Sequence, residues 1–390
     1  YSDDTQLMLC VCRSITPDGL VDNEYFSKIE LKDWLYYVRG GGKTIKTAAK
    51  NLDKKNHSWD SNFYKTTEDA LAYFNAGANG AAMRMLPIVL ANLAHQERMV
   101  MEVFKNSIVT HGHPRAIVGS ILYSLAVSYF LKVDVLPDYP NEIITIIAKG
   151  LKSVASLINH LEDIGLSAWL DRWNSTMSVG FSQVFQKTIE DTLELLRYTY
   201  KYIAANTNDT DVFKSLGALD KDTRGAGYIS AVVALFMATK YIYKEPIQAV
   251  YECANMLGSD TDTIGLMCGS MIGAYIGFEQ IPMNLRRVQD SQYLLDCAEA
   301  LFSHETATIK SPDSDSCLYI AHSSKRPIDL TTLSVGDEIR LPSLGVGKVL
   351  SVSEQDTRTT GKSVIILEVD FAIKQSCKLS KVISKGKAKQ

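Results

Sequence analysis

The sequence has no CxxC pair, and its seven cysteines are an odd number scattered over 390 residues. That excludes a disulfide framework and reads as the reduced thiols of a cytosolic protein. Cys10 and Cys12 form a CxC, but the nearest histidine in sequence is His57, which argues against zinc there. A charge excess of one sign is also missing: 41 Lys and Arg face 44 Asp and Glu, a net charge of −3. General binding to nucleic acid or a membrane surface is therefore not expected. The longest apolar run, Ile264 to Phe278, is 15 residues, includes Ser270 and is rich in glycine, too short to span a bilayer. No signal peptide is visible at the start. A cytoplasmic protein with no membrane partner is the expectation.

What is present is enough apolar residue, 46% of the chain against 22% charged, to bury a large core. From Gln6 to about Phe302, apolar residues recur at three- and four-residue spacing in segments such as "AIVGSILYSLAVSYFLK", "TIEDTLELLRYTYKYIAAN" and "YISAVVALFMATKYIY". Pro87 and Pro246 stand where helices should begin. The texture changes after "SPDSDSC" (311–317), where "VGDEIRLP", "GVGKVLSVSEQ" and "KSVIILEVDFAI" read as short strands between turns. From Lys310 onward 13 basic residues face 9 acidic ones, whereas the preceding chain has 28 against 35. The expectation is an all-α domain over residues 1–308, a linker over 309–325, and a small β-barrel module with a basic tail over 326–390.

Two stretches share one grammar: "YSDDTQLMLCVC" at the start and "LGSDTDTIG" at 257–265, each a cluster of oxygen donors opening an apolar helix. In the second, Gly265, Gly269, Gly273 and Gly277 fall every four residues. Each glycine costs about 1 kcal/mol against alanine in a helix, so the ridge implies close approach by a neighbouring helix. The buried N-terminus and its dipole should keep Asp260 and Asp262 firmly ionised. The competing assignment makes Ser2 or Asp3, and Ser259 or Asp260, ordinary helix caps. Taken together, four carboxylates cannot all stay charged without cations. Two Mg²⁺ ions, with Mn²⁺ as the alternative, would balance Asp3, Asp4, Asp260 and Asp262. The hydroxyls of Ser2 and Thr263, carbonyls and waters would complete the octahedra. The pattern reads as a binuclear metal centre.

"SDDTQLML" and "GSDTDTIGLMCGSMIGAYIG" resemble the ADP-ribosylglycohydrolases, of the ADP-ribosylarginine hydrolase and dinitrogenase reductase-activating glycohydrolase type. "GANGAAMRMLPIVLA" (77–91), "THGHPRAI" (110–117) and "RGAGYISAVVALFMA" (224–238) have counterparts in the same order, and the resemblance covers about residues 1–300. It implies an all-helical fold holding two Mg²⁺ or Mn²⁺ ions, with Ser2, Asp3, Asp4, Asp260, Asp262 and Thr263 as ligands. Ser2 stands where the family usually has threonine. The loop at Gly77, Asn79 and Gly80 would lie against ADP-ribose, although a tight turn before the Pro87 helix is an equal reading of those residues. His111 matches a position near the substrate, with a satisfied structural histidine as its rival. Gly225, Gly227 and Tyr228 match a glycine-aromatic loop at the adenosine end, with a core tyrosine as the competing reading.

Two departures from the family pattern leave the general acid/base open. Family members usually carry a glycine-rich first helix before the metal motif, some with a catalytic glutamate near it, and here the sequence opens on the motif. Some also carry an acidic residue where this chain reads "VRGGGKT" (38–44), which offers no carboxylate. The expected reaction is hydrolysis of the bond joining ADP-ribose to an acceptor, foremost an arginine guanidinium on a protein, with Asp4 or Asp262 accepting the proton of the attacking water. Two rivals stand beside it. One is a non-catalytic scaffold that binds ADP-ribose. The other is an immunity or antitoxin protein that reverses modification by an ADP-ribosyltransferase toxin or binds that toxin directly. "VGDEIRLPSLGVGKVLSV" (335–352) resembles the opening of a Tudor- or SH3-like barrel, a fold that binds proteins or nucleic acids.

Overall fold

The computed structural model describes residues 1–52, 58–60, 66–156, 161, 163–311 and 328–384. Of the expected linker only residues 309–311 fall among these, and Lys385, Lys387 and Lys389 of the basic tail lie outside them. The first three-quarters of the chain is helical. Two helices apolar on every side, Pro114–Lys132 and Gly227–Tyr241, lie packed together at the centre, as helices with no polar face must. The first is, among the described residues, the one helix long and apolar enough to cross a bilayer, yet 83% of that span is buried inside the fold. Amphipathic helices wrap the pair, with Gln96–Ile108 and Phe181–Ala204 each turning an apolar stripe inward.

The central contact is backbone against backbone. A Cβ on Gly119 would sit 2.2 Å from the carbonyl carbon of Gly227, and one on Gly227 would sit 2.9 Å from the carbonyl oxygen of Arg115. The regular ridge that the sequence advertises is not this contact. The helix Thr261–Ile276 does pack against its neighbours, but a Cβ on Gly265 or Gly269 would meet side chains at 3.8 and 3.6 Å, ordinary contact distances. One on Gly273 would meet nothing within 4 Å, and Gly277 ends the helix with φ +74°. The neighbouring helices therefore do not require glycine at Gly265, Gly269 or Gly273.

Four strands follow: β1 (Glu338–Leu341), β2 (Gly345–Asp356), β3 (Lys362–Phe371) and β4 (Ser376–Ser384). They pair antiparallel in sequence order as a curled half-barrel, with β1 and β4 at its two edges, so the expected barrel is not closed. Its inner residues Leu341, Val349, Leu367 and Leu379 belong to the same apolar cluster as Leu7 and Trp34 of the helical body. Polar contacts fix the docking. Arg13, fully buried, makes a two-pronged ion pair with Glu30 (2.8 and 2.7 Å) and donates to Gln375 Oε1 at 2.7 Å. The backbone N–H and hydroxyl of Ser343 both donate to Asp33 Oδ2, at 2.7 and 2.8 Å.

Candidate active site

Both aspartate motifs open helices, and neither behaves as a cap. Ser2 occupies the N-cap position of the Asp3–Arg13 helix, but its hydroxyl makes no capping bond and donates instead to Asp4 Oδ2 at 2.8 Å. Asp260 occupies the N-cap position of Thr261–Ile276 without capping it, and the Ser259 hydroxyl donates to the Met256 carbonyl. The freed Asp260 carboxyl accepts from Asn79 Nδ2 at 2.8 Å. The two motifs then meet: the Thr263 hydroxyl donates to Asp4 Oδ1 at 2.7 Å across 259 residues of sequence. Asp4 thus has a hydroxyl on each carboxyl oxygen, while Asp262 Oδ1 accepts the neighbouring Thr263 N–H and the Asp262 carboxyl meets that of Asp260.

Two loops close around this junction. Gln6 ties down the first: its side-chain amide donates to the Tyr37 carbonyl and accepts from Trp34 Nε1 and the Arg39 N–H. The Arg39 carbonyl accepts from the Asp3 N–H at 2.8 Å, which lays Gly40 over the motif. Gly40 has φ +97°, and a Cβ there would lie 2.8 Å from Asp3 Oδ1. The second loop pairs residues 77–79 with 225–227 through Asn79 N–H to the Gly225 carbonyl and Gly227 N–H to the Gly77 carbonyl. That pairing holds Asn79 between Asp260 and Ser230.

The result is a cavity of about 340 Å³ lined by Asp3, Asp4, Asp260, Asp262 and Thr263, with Asn79, Gly80 and His111 on the facing wall. Ser2 reaches it through Asp4 rather than lining it. Gly77, Gly225, Gly227 and Tyr228 are not part of this lining: the glycines build the loop pair beside it, and Tyr228 is half-buried.

Over residues 1–310 the sequence matches the ADP-ribosylglycohydrolase family. The chain belongs to that family. It is 25% identical over 324 residues to ADP-ribosylhydrolase ARH3 of Gallus gallus, covering 78% of this chain and 79% of that protein. It is 26% identical over 223 residues to ADP-ribosylhydrolase ARH3 of Xenopus tropicalis, covering 53% and 54%. Among solved structures, an ADP-ribosylglycohydrolase-related protein complex aligns with a TM-score of 0.47 at 16% identity, covering 78% of this chain and 81% of that one. Membership makes the chain a hydrolase of ADP-ribose glycosidic bonds, in a family generally dependent on divalent metal.

In this ADP-ribosylglycohydrolase Asp260 is not firmly ionised, contrary to the dipole expectation. Burial, then the hydrogen-bonded Asp262 carboxyl, pushes Asp260 up to about 7. Burial and the adjacent Asp4 push Asp3 up to about 6. Asp4 is raised by burial, with the Thr263 and Ser2 hydroxyls pulling the other way. Burial outweighs the helix dipole because each charge also meets its neighbours. Among the described residues no group of three or more His, Cys, Asp or Glu is already disposed around one point as a metal cage. The donor chemistry nonetheless fits a hard divalent cation: the motifs offer carboxylate and hydroxyl oxygens and no sulfur.

Several residues of the site did not stand out in the sequence. Lys43 and Thr44 line the cavity from the same glycine loop that offers no carboxylate. The signal was in "GGGKT" itself, glycines running into a helix at Lys43–Leu52. Arg84 and Thr110 lie behind the wall and had no signal beyond their place in the quoted segments.

Proposed function

We propose that this glycohydrolase releases ADP-ribose from arginine side chains of proteins, and that Asp3, Asp4, Asp260, Asp262, Ser2 and Thr263 hold two Mg²⁺ ions, for which Mn²⁺ can substitute. The observation that carries the reading is the meeting of two aspartate pairs from distant parts of the sequence in one cavity, where three of the carboxyls have raised pKa values. A cavity of that kind gains from divalent cations the charge balance that it otherwise obtains from protons. When bound, such ions lower the pKa of a water and hold sugar hydroxyls.

The chain's own groups divide the remaining work. Asp262 accepts the water's proton, because both oxygens of Asp4 are already engaged by Ser2 and Thr263. Asn79 orients Asp260. Positive charge developing on the ribose faces the carboxylates across the cavity, which stabilise it more than the uncharged ground-state ribose ring. The loop pair that contains Gly77, Gly225, Gly227 and Tyr228 flanks the cavity and takes the rest of the nucleotide.

The test is to incubate the full chain with arginine-, serine- and nucleotide-linked ADP-ribose, with Mg²⁺ and with chelator, and to measure free ADP-ribose. Release from the arginine conjugate only with Mg²⁺ is expected. Release from another conjugate alone would reassign the acceptor, and release that ignores the chelator would end the metal reading.

A further inference from the structure

Arg84 is fully buried, yet among the described residues no carboxylate pairs with it. Its four hydrogen bonds go to neutral acceptors: Nε to Asn106 Oδ1 (2.8 Å), Nη2 to the Asn106 carbonyl (2.7 Å), and Nη1 to both the Gly80 carbonyl (3.1 Å) and Thr110 Oγ1 (2.9 Å). The guanidinium also lies 5.0 Å from the centre of the Phe26 ring. Burying a charge without a counter-charge is costly, and a purely structural brace would be served by a neutral group. What Arg84 holds is the wall of the cavity, through Gly80 and through Thr110.

Thr110 carries the argument to His111. The buried Thr110 hydroxyl lies 2.8 Å from His111 Nδ1. Because the oxygen already accepts from Arg84, the arrangement that leaves no buried hydroxyl proton unused has Thr110 donating to Nδ1. The ring proton then sits on Nε2. Among the described residues no protein group bonds to Nε2, and the ring edge faces Gly80, where a Cβ would come within 3.4 Å of Nε2. His111 lines the cavity and is otherwise buried, and burial together with Arg84 pulls its pKa down to about 3, so the ring is neutral.

We infer that Arg84 is a positioning residue: through Thr110 it fixes His111 as a neutral Nε2–H donor pointed at an oxygen acceptor of the ligand, and through the Gly80 carbonyl it sets the gap by which the ligand reaches that donor. The ligand's identity rests on the proposed function; the relay does not. A carboxylate in the place of Arg84 would orient the hydroxyl the other way, accepting its proton and leaving Nδ1 to donate.

The test uses Thr110→Val, which keeps shape and removes the hydroxyl, and Thr110→Ser, which restores it. Histidine ¹⁵N shifts of the free, full-length protein report the tautomer, and calorimetry with ADP-ribose reports binding. In the wild type and in Thr110→Ser, His111 should show the Nε2–H signature. Thr110→Val should lose it and weaken ADP-ribose about tenfold, the scale of one hydrogen bond. A wild-type Nδ1–H signature, or an unchanged signature in Thr110→Val, would overturn the relay. Wild type that shows Nε2–H but binds no ADP-ribose would instead refute the proposed ligand and leave the relay supported.

Discussion

At the scale of single residues, Asp262 is the most exacting test of the site. Asp262→Asn keeps size and removes one of four charges that would balance two divalent ions. Activity should fall at least ~10²-fold, the scale of one lost acid/base or electrostatic contribution. Thermal melting of the metal-free protein should hold or rise, since repulsion on Asp260 and Asp4 is relieved. Stabilisation by Mg²⁺ should shrink by linkage. Melts with and without Mg²⁺ beside the hydrolysis assay check all three, and full activity with full Mg²⁺ stabilisation would reduce Asp262 to a helix-end carboxylate. The aspartates were legible because two carboxylate–hydroxyl clusters before apolar helices form a pattern that capping alone does not need. Arg84 was not, because a lone arginine in "AAMRM" has no spacing that tells a buried charge from an exposed one. Protonation is illegible for a related reason: the dipole of one helix can be read from sequence, but carboxyls meeting in one cavity require the fold.

At the scale of elements, the helix order and most starts follow from apolar spacing and proline, as at Pro246–Asn255. The apolar spacing of "PIVLANLAHQERMVMEVF" runs on without a break, yet the stretch forms two helices, Leu86–Ala91 and Gln96–Ile108. Asn92 breaks it, its side chain donating to the carbonyls of Gly19 and Ile88. The glycines invert expectation. Gly265, Gly269 and Gly273 of the regular series sit where a methyl group fits, whereas the isolated Gly119 and Gly227 sit where none does. Gly119→Ala should therefore cost about 1–3 kcal/mol or more through overpacking of the central pair. Gly273→Ala should add up to about 1 kcal/mol from helix propensity. Denaturant midpoints of the two variants should move in opposite directions, and a shift of the same sign in both would show that periodicity, not contact, governs these helices.

At the scale of the whole molecule, the sheet was legible as strands but not as a half-barrel sunk into the helical core, because Asp33 and Arg13 give no sign in the sequence of what they bind. Asp33 is fully buried under Ser343, and burial raises its carboxyl to about 7 against the Ser343 hydrogen bonds. Unfolded, it would titrate near its ordinary 3.8. Between those values the folded chain holds a proton that the unfolded chain has released, so stability must decline as pH rises. The contribution is full below about pH 3.8 and is lost as pH passes through about 7. Asp33→Asn should flatten this part of the stability curve, measured by urea midpoints from pH 4 to 8. A variant whose curve parallels the wild type would show that Asp33 is ionised in the folded protein throughout.

The bond from Arg13 to Gln375 spans 362 positions of sequence and also sets a schedule. At synthesis rates of 5–20 residues per second, Gln375 follows Arg13 out of the ribosome's catalytic centre by roughly 20–70 s. Asp4 waits through 259 positions for the Thr263 hydroxyl that will hold it, and Arg13 waits through the whole interval for the β3–β4 turn that will cover it. A nascent chain therefore carries half of its charged cavity open to solvent, and the Asp3–Arg13 helix is among the last to be sealed.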